Sequence, residues 1–357
     1  MKALTVLVTG GGAPGIAGTV YALRNNPEGI PVRIVAVDMR QNAVGKFLAD
    51  AFHLVPSADD ISFCDRILEL IHLEKVDVLL PQVTRELIPL AKSMNRIVDS
   101  GARIAISEEE SIRKANDKLE VLQAARQIGV PFPAFYATRS EDELREAAYS
   151  LGYPKKRVVI KPRVSNGMRG LRVISSNKWD VHRFLNEKPS GLEISLEELV
   201  KILKNGTWPE LLVTEYLPGP EYTVDVFRGK YIEIAIPRAR KQIRSGITFE
   251  ALIDMRIDLI SYSLKLARFF GLKYCFGFQF KMGEDGTPKV IECNPRVQGT
   301  MVAAAIAGFN LIYYAVIEAL GRPVKPNSLK ELKNGSRFLR YWGGICVDEK
   351  ERFIAKI

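Results

Sequence analysis

Histidine is almost missing from this chain: His53, His72 and His182 are the only three in 357 residues, and no two share a motif. A Ser-His-Asp relay therefore lacks a credible base, and the histidines read as structural. Cysteine is scarce as well. Cys64, Cys275, Cys293 and Cys346 stand far apart with no C-x-x-C pair, each among apolar neighbours, so buried free thiols are expected in place of zinc sites or disulfides. No apolar run approaches the roughly 20 residues of a membrane helix. The opening residues 1–10 read as a first strand and lack the small-residue cleavage site of a signal peptide, so a cytoplasmic protein with no membrane partner is expected. Internal repeats are absent too.

What remains is ordinary globular composition, 47% hydrophobic and 26% charged, with a net charge of +10. That surplus fits nucleic acid or a small anionic substrate. The basic residues gather at Lys155-Lys156-Arg157, Arg163, Arg169, Arg172 and between Arg238 and Arg244. They lie beside loops suited to phosphate and are not interleaved with aromatics along a helix, which favours a small anion and no nucleic acid. Abundant lysine and glutamate also suit a thermophile. The length suits two or three subdomains around a shared site.

Strand and helix patterns alternate over the first hundred residues: Leu4–Thr9, Ile16–Asn25, Val32–Asp38, Phe63–His72, Val76–Pro81 and Arg103–Ile106. Alternation of this kind predicts a parallel sheet with crossover helices. The turn Gly10-Gly11-Gly12-Ala13-Pro14-Gly15, with Asp38 after the second strand, invites a dinucleotide reading that Pro14 weakens by interrupting the spacing. After Asn116-Asp117-Lys118 a second pattern begins, with a helix through Ile128 and strands Val158–Lys161 and Leu171–Ser175 around a glycine loop. A helical stretch Leu192–Lys204 and a strand Leu211–Glu215 complete what reads as a small mobile α+β lid. A hairpin Tyr222–Phe227 with Lys230–Ile236 follows, then a long helix Phe249–Phe270, a strand Phe276–Lys281, and a helix Thr300–Leu320 stopped at Gly321-Arg322-Pro323. The tail from Ser336, with alternating Phe338-Leu339-Arg340-Tyr341-Trp342, predicts an edge strand.

Three segments carry chemistry. Val290-Ile291-Glu292-Cys293-Asn294-Pro295-Arg296 is an apolar strand ending in polar side chains, with Glu292 and Asn294 on one face. With Gln279 on the preceding strand, it offers oxygen ligands of the kind magnesium takes together with substrate phosphates. Lys161 closes the run Val158-Val159-Ile160 and precedes the loop Arg163-Val164-Ser165-Asn166-Gly167-Met168-Arg169-Gly170, whose N–H groups and Arg169 can fold over phosphates. Glu215-Tyr216-Leu217-Pro218-Gly219-Pro220-Glu221 passes from strand to bent connector and back, offering main chain to an adenine edge and the Glu221 carboxylate to ribose hydroxyls.

These elements in this order resemble the ATP-grasp superfamily over nearly the whole chain, and within it the single-copy relatives of the carbamoyl-phosphate synthase large subunit. The resemblance implies a mixed α/β and α+β ATP-grasp fold: a Rossmann-like pre-ATP-grasp domain at 1–112, a lid subdomain at 113–212, a metal-binding α+β subdomain at 213–330 and a tail at 331–357. It implies that Lys118 and Lys161 hold the ATP phosphates with Ser165, Gly167 and Arg169 of the loop. Glu215, Tyr216 and Leu217 would contact adenine and Glu221 the ribose. Gln279, Glu292 and Asn294 would bind magnesium, or manganese in its place, and Arg296 would stabilise the transferred phosphoryl group or acyl phosphate. Arg238, Arg240 and Arg244 fall where the family has further basic residues, and Arg240 and Arg244 are taken with Arg296 as catalytic candidates.

The implied reaction is attack of a carboxylate on the γ-phosphate of ATP, giving an acyl phosphate that an amine captures with release of ADP and phosphate. Positioning and electrostatics suffice for the first step, so no protein nucleophile is needed, and a closed lid excludes water. Bicarbonate with ammonia is the alternative substrate pair, and a non-catalytic ATP-binding regulatory subunit the alternative of another class. A synthase large subunit carries two such halves and this chain one, which implies work as a homodimer or with another protein. The acceptor pocket is expected in the N-terminal domain near Gln82 to Glu86, a stretch that reads equally as an ordinary strand-to-helix turn.

Overall fold

The computed structural model describes residues 3–177, 180–187, 191–328, 331–341 and 343–356. Its backbone forms two compact units: residues 1–116, 220–280 and 293–357 in the first, 117–219 and 281–292 in the second.

The first unit opens with β1 (Leu4–Val8), α1 (Ile16–Arg24), β2 (Val32–Asp38), β3 (Ala51–Leu54), α2 (Phe63–Glu74), β4 (Val78–Leu80), α3 (Thr84–Lys92), α4 (Met94–Asp99), β5 (Arg103–Ile104) and α5 (Glu109–Ala115). The five strands make a parallel sheet in the order β3-β2-β1-β4-β5. Their side chains alternate between two cores: Val6, Val8, Ile34, Val78 and Leu80 enter one, Leu7, Val35, Val37 and Leu79 the other. Burial on both faces explains why the central stretches Val6–Val8, Ile34–Val37 and Val78–Leu80 are continuously apolar.

The second unit contains α6 (Lys118–Gln127), β6 (Phe135–Thr138), α7 (Glu141–Ser150), β7 (Val158–Pro162), β8 (Arg172–Ile174), α8 (Val181–Asn186), β9 (Glu193–Ile194), α9 (Leu196–Leu203) and β10 (Leu211–Glu215). Its sheet runs β6-β10-β7-β8-β9, antiparallel but for the β8–β9 pair. Val158, Ile160, Ile174 and Val213 bury against Leu144, Ala148 and Leu199 of the helices. The helix expected over Leu192–Lys204 is shorter than its pattern suggested. Ser195 and Glu198 form a capping box that starts α9 at Leu196, leaving Glu193–Ile194 free to pair with β8.

The chain continues through β11 (Glu221–Arg228), β12 (Glu233–Arg244), β13 (Ile247–Ile253), α10 (Ile257–Phe270), β14 (Tyr274–Met282), β15 (Pro288–Asn294), α11 (Val302–Ile306), α12 (Leu311–Ala319), β16 (Arg337–Leu339), β17 (Ile345–Val347) and β18 (Phe353–Lys356). Strands β11 to β16 form one sheet in the order β15-β14-β11-β12-β13-β16. Two expected helices are corrected. Phe249 to Ile253 belongs to β13, where Phe249, Ala251 and Ile253 turn inward and β12 supplies the ladder, so the helix begins only at Ile257. The helix expected over Thr300–Leu320 breaks at Gly308, whose φ of +117° no helix accepts, and restarts where the Asn310 side chain accepts the Tyr313 N–H at 3.1 Å. The edge strand expected in the tail is β16, and Trp342 lies outside the described residues.

The four thiols are free, but only Cys275 and Cys293 are buried; Cys64 is half-buried and Cys346 exposed, against the expectation of four buried thiols. Among the described residues no helix is long and apolar enough to cross a membrane.

Candidate functional site

In the second unit two lysines are buried to within 5% of full exclusion. Lys118 opens α6, where the preceding Asp117 caps the helix by accepting the Leu119 N–H at 2.9 Å. Its Nζ donates to the Ser165 carbonyl at 2.8 Å and to the Ser165 Oγ at 3.2 Å. Burial pushes its pKa down, and the nearby charges of Glu292 and Asp117 oppose the shift. Lys161 lies on β7 and donates to the Ile291 carbonyl at 3.0 Å. The unit thus brings together Lys118, Lys161, Ser165 and Glu292, all named as site residues from sequence.

The glycine loop turns tightly between β7 and β8. Gly167 and Met168 have φ of +64° and +61°, a region where a methionine is uncommon. Gly170, also left-handed, lies so close to Pro162 that a Cβ would stand 2.5 Å from the ring. Arg169 is exposed and curls back to the Asn166 carbonyl at 3.0 Å. Arg163 is spent on structure, bonded to Asp117 at 2.5 Å and to Glu210 at 3.3 Å.

In the connector, the Glu215 carboxylate accepts the Ala134 N–H at 3.0 Å and pairs with Lys289 at 2.6 Å. Tyr216 lies under the Arg157 guanidinium, 3.8 Å from the ring centroid, and Leu217 is buried. Gly219 donates to the Met282 carbonyl at 3.0 Å, an approach that leaves no space for a side chain.

The first unit holds the remaining candidates. Glu221 and Arg240 are register partners on β11 and β12 and form an ion pair. Arg240 also donates to Thr248 Oγ1 at 2.8 Å, to the Gly246 carbonyl at 2.6 Å and more weakly to Gln279 Oε1 at 3.4 Å. Arg244 is exposed, its guanidinium 4.8 Å from the Phe249 ring centroid. Arg238, by contrast, is enclosed against Asp225 at 2.7 Å with 2% exposure, which removes it from any substrate-contacting role. Arg296 donates to Thr84 Oγ1 at 2.8 Å and to the Val297 carbonyl at 2.9 Å, with Asn294 Oδ1 at 3.4 Å.

Above the parallel sheet, the Gly10–Gly15 turn is braced by protein. The Asp38 carboxylate accepts the Gly12 N–H at 2.7 Å and the Arg40 N–H at 2.9 Å, so the group a dinucleotide ribose would need is already engaged. Arg340 donates to the Pro14 carbonyl at 3.0 Å, the Gly299 carbonyl at 3.1 Å and the Thr248 carbonyl at 3.2 Å. Its role was not legible in the sequence, since it lies in an alternating tail beside no motif.

Two family models match: a PylC-like N-terminal domain over residues 6–105, and an ATP-grasp from a biosynthetic pathway with the Ter operon over residues 207–339. The chain is 25% identical over 291 residues to the carbamoyl phosphate synthase arginine-specific large chain of Halalkalibacterium halodurans, covering 77% of this chain and 25% of that protein. Among solved structures, the biotin carboxylase domain of 2-oxoglutarate carboxylase from Hydrogenobacter thermophilus, in complex with MgADP, ADP and bicarbonate, superposes with a TM-score of 0.70 at 19% identity. It covers 93% of this chain and 73% of that one. The ADP complex of N5-carboxyaminoimidazole ribonucleotide synthetase gives 0.68 at 17% identity, covering 91% and 79%.

The fold is the ATP-grasp fold, and residues 207–339 match an ATP-grasp family model. The chain spans about a quarter of the length of the curated relatives it matches. Within this fold Lys161 falls near the end of β7, the glycine loop between β7 and β8, the connector between β10 and β11, Gln279 inside β14, and Glu292 and Asn294 at the end of β15. Among the described residues no three His, Cys, Asp or Glu cluster as a metal cage. By donor chemistry alone, the expected ligands Gln279, Glu292 and Asn294 are one carboxylate and two amide oxygens, hard donors that suit magnesium only when phosphates complete its shell.

Proposed function

We propose that this chain is a cytoplasmic ATP-dependent ligase that activates a small-molecule carboxylate as an acyl phosphate for capture by an amine, releasing ADP and phosphate. The observation that carries the reading is the pair of deeply buried lysines in one unit, Lys118 and Lys161, whose ammonium groups rest on the carbonyls of Ser165 and Ile291. Two cations buried in a low-dielectric unit set up a local positive potential that suits a polyphosphate. Ser165, Gly167 and Arg169 line the phosphates; Glu215, Tyr216 and Leu217 take the adenine, and Glu221, oriented by Arg240, takes the ribose. Glu292 with Gln279 and Asn294 would hold magnesium, or manganese, which neutralises phosphate charge when bound. Arg296, assisted by Arg240 and Arg244, stabilises the charge that develops on the transferred group.

A second reading, with bicarbonate as the activated acid and ammonia as acceptor, is supported by the carbamoyl phosphate synthase relatives, of which this chain matches a quarter. The dimeric biotin carboxylase domain among the structural neighbours supports a homodimer as the working form. Assaying ADP release in bicarbonate-free buffer with pooled carboxylates and amines separates the readings. Release that needs the pool supports the carboxylate-amine ligase; release that needs added bicarbonate supports the second. ATP binding without ADP under either condition overturns both in favour of a regulatory subunit.

A further inference from the structure

Strand order in the parallel sheet reverses between β1 and β4. The crevice outside the carboxyl ends of two such strands is where open α/β sheets take ligands. Here it is built from side chains that are polar and yet buried: Thr9 and Thr19 are 0% and 1% exposed, Gln82 6% and Glu86 8%. The Thr9 hydroxyl donates to the Glu86 carboxylate and accepts the Gln82 N–H at 3.0 Å; Gln82 Oε1 in turn accepts the Thr19 hydroxyl at 2.7 Å. The network fixes Glu86 in place without neutralising it.

The donors to Glu86 are the Thr9 hydroxyl and the Val83 N–H. Among the described residues no lysine, arginine or histidine pairs with it, and the charge that acts on it is the like charge of Asp38 at the end of β2. Asp38 is already committed to the Gly12 and Arg40 N–H groups, with the Arg40 guanidinium at 3.4 Å. Burial and Asp38 together push the Glu86 carboxyl up to about 7. A carboxylate so enclosed without a counter-ion is costly, by several kcal/mol on general grounds, unless a bound cation completes it. Glu86 also shares the first turn of α3 with Thr84, whose hydroxyl receives Arg296 at 2.8 Å. The arginine assigned to the acyl phosphate therefore touches the helix that carries the unmatched carboxylate.

We propose that the crevice at the carboxyl ends of β1 and β4 binds a non-reacting, protonated amino group of a substrate, with Glu86 as its counter-ion. Resting on the ligase reading, this assignment gives one substrate a charge class: a small amino acid or diamine that keeps one ammonium group while another group reacts. The Thr9 hydroxyl and Gln82 hold the carboxylate in position, and Asp38 adds long-range attraction.

The test is calorimetric titration and thermal shift of the full chain with the common amino acids and linear diamines, each beside its des-amino counterpart, in the wild type, Glu86→Gln and Glu86→Asp. At least one amine-bearing probe is expected to bind the wild type at least about tenfold more tightly than its des-amino counterpart, the range of a charged hydrogen bond. Glu86→Gln should lose that margin while its stabilisation by ATP persists, and Glu86→Asp should keep part of it. Absence of binding by every amine-bearing probe, equal binding of the des-amino compounds, or an unchanged affinity in Glu86→Gln would overturn the site. Should the Gln variant fail to fold, the wild-type comparison decides alone. Ammonium binding in a chain that never releases ADP would remove the ligase reading and leave this site standing; ADP release with substrates that all lack a second amino group would do the reverse.

Discussion

The Lys161 ammonium donates to the carbonyl of Ile291 at 3.0 Å, and the next residue of β15 is Glu292. A lysine assigned to phosphate, on β7, thus rests against the strand β15 that carries a carboxylate assigned to metal, within a single unit. If Lys161 meets the ATP phosphates, Lys161→Met should raise the KM for ATP by about 10- to 100-fold, the loss of one charge-assisted bond. Initial rates over a range of ATP concentrations check this. An unchanged KM would place the phosphates elsewhere.

Glu292→Ala should abolish magnesium-dependent turnover and leave the fold intact, because a half-buried strand-end carboxylate contributes little to the core. Circular dichroism and melting temperature report the fold, and ADP release against magnesium concentration reports the metal. Near-normal turnover in this variant removes Glu292 from the metal site.

Arg238 and Asp225 should prove structural. Both are enclosed, at 2% and 0% exposure, and Arg238 Nη1 finds no acceptor among the described residues. Asp225→Ala leaves a buried guanidinium unmatched and should cost about 3–5 kcal/mol in urea unfolding. Replacing both residues with apolar ones of similar volume should recover most of that. Equal losses in the single and double variants would refute the pairing as the source of the effect.

Glu86 should make the protein less stable as pH rises. Its carboxyl keeps a proton up to about pH 7 when folded, against an ordinary value of 4.5. Between those values the folded state binds more protons than the unfolded one, so unfolding free energy falls with rising pH, by on the order of 3 kcal/mol across the window. Below the ordinary value and above the raised one, this group adds no slope. Urea unfolding at about pH 5 and about pH 8 should show the fall in the wild type and a smaller one in Glu86→Gln. Parallel curves would mean that Glu86 is ionised throughout.

The parallel sheet was legible because burial on both faces left Ile34–Val37, Val6–Val8 and Val78–Leu80 as short continuous apolar runs. The candidate site residues stood out where a polar residue ends such a run, as Lys161 and Glu292 do. Less could be read where one pattern serves two structures. Phe249–Ile253 carries residues that suit strand or helix, and only the ladder with β12 decides. Arginine roles were the hardest. Arg238, Arg240 and Arg244 look alike in the sequence, yet one is enclosed by Asp225, one orients Glu221, and one lies over Phe249. What separates them is their position across the sheet and the carboxylates opposite, which one-dimensional spacing does not carry.

The most direct test of acyl-phosphate chemistry is to incubate the protein with ATP, magnesium, hydroxylamine and pooled metabolites, then measure ADP and search for hydroxamates by mass spectrometry. The ligase reading predicts a protein-dependent hydroxamate formed together with ADP, its mass naming the carboxylate. Absence of any hydroxamate and of any ADP, across every pool, would contradict it.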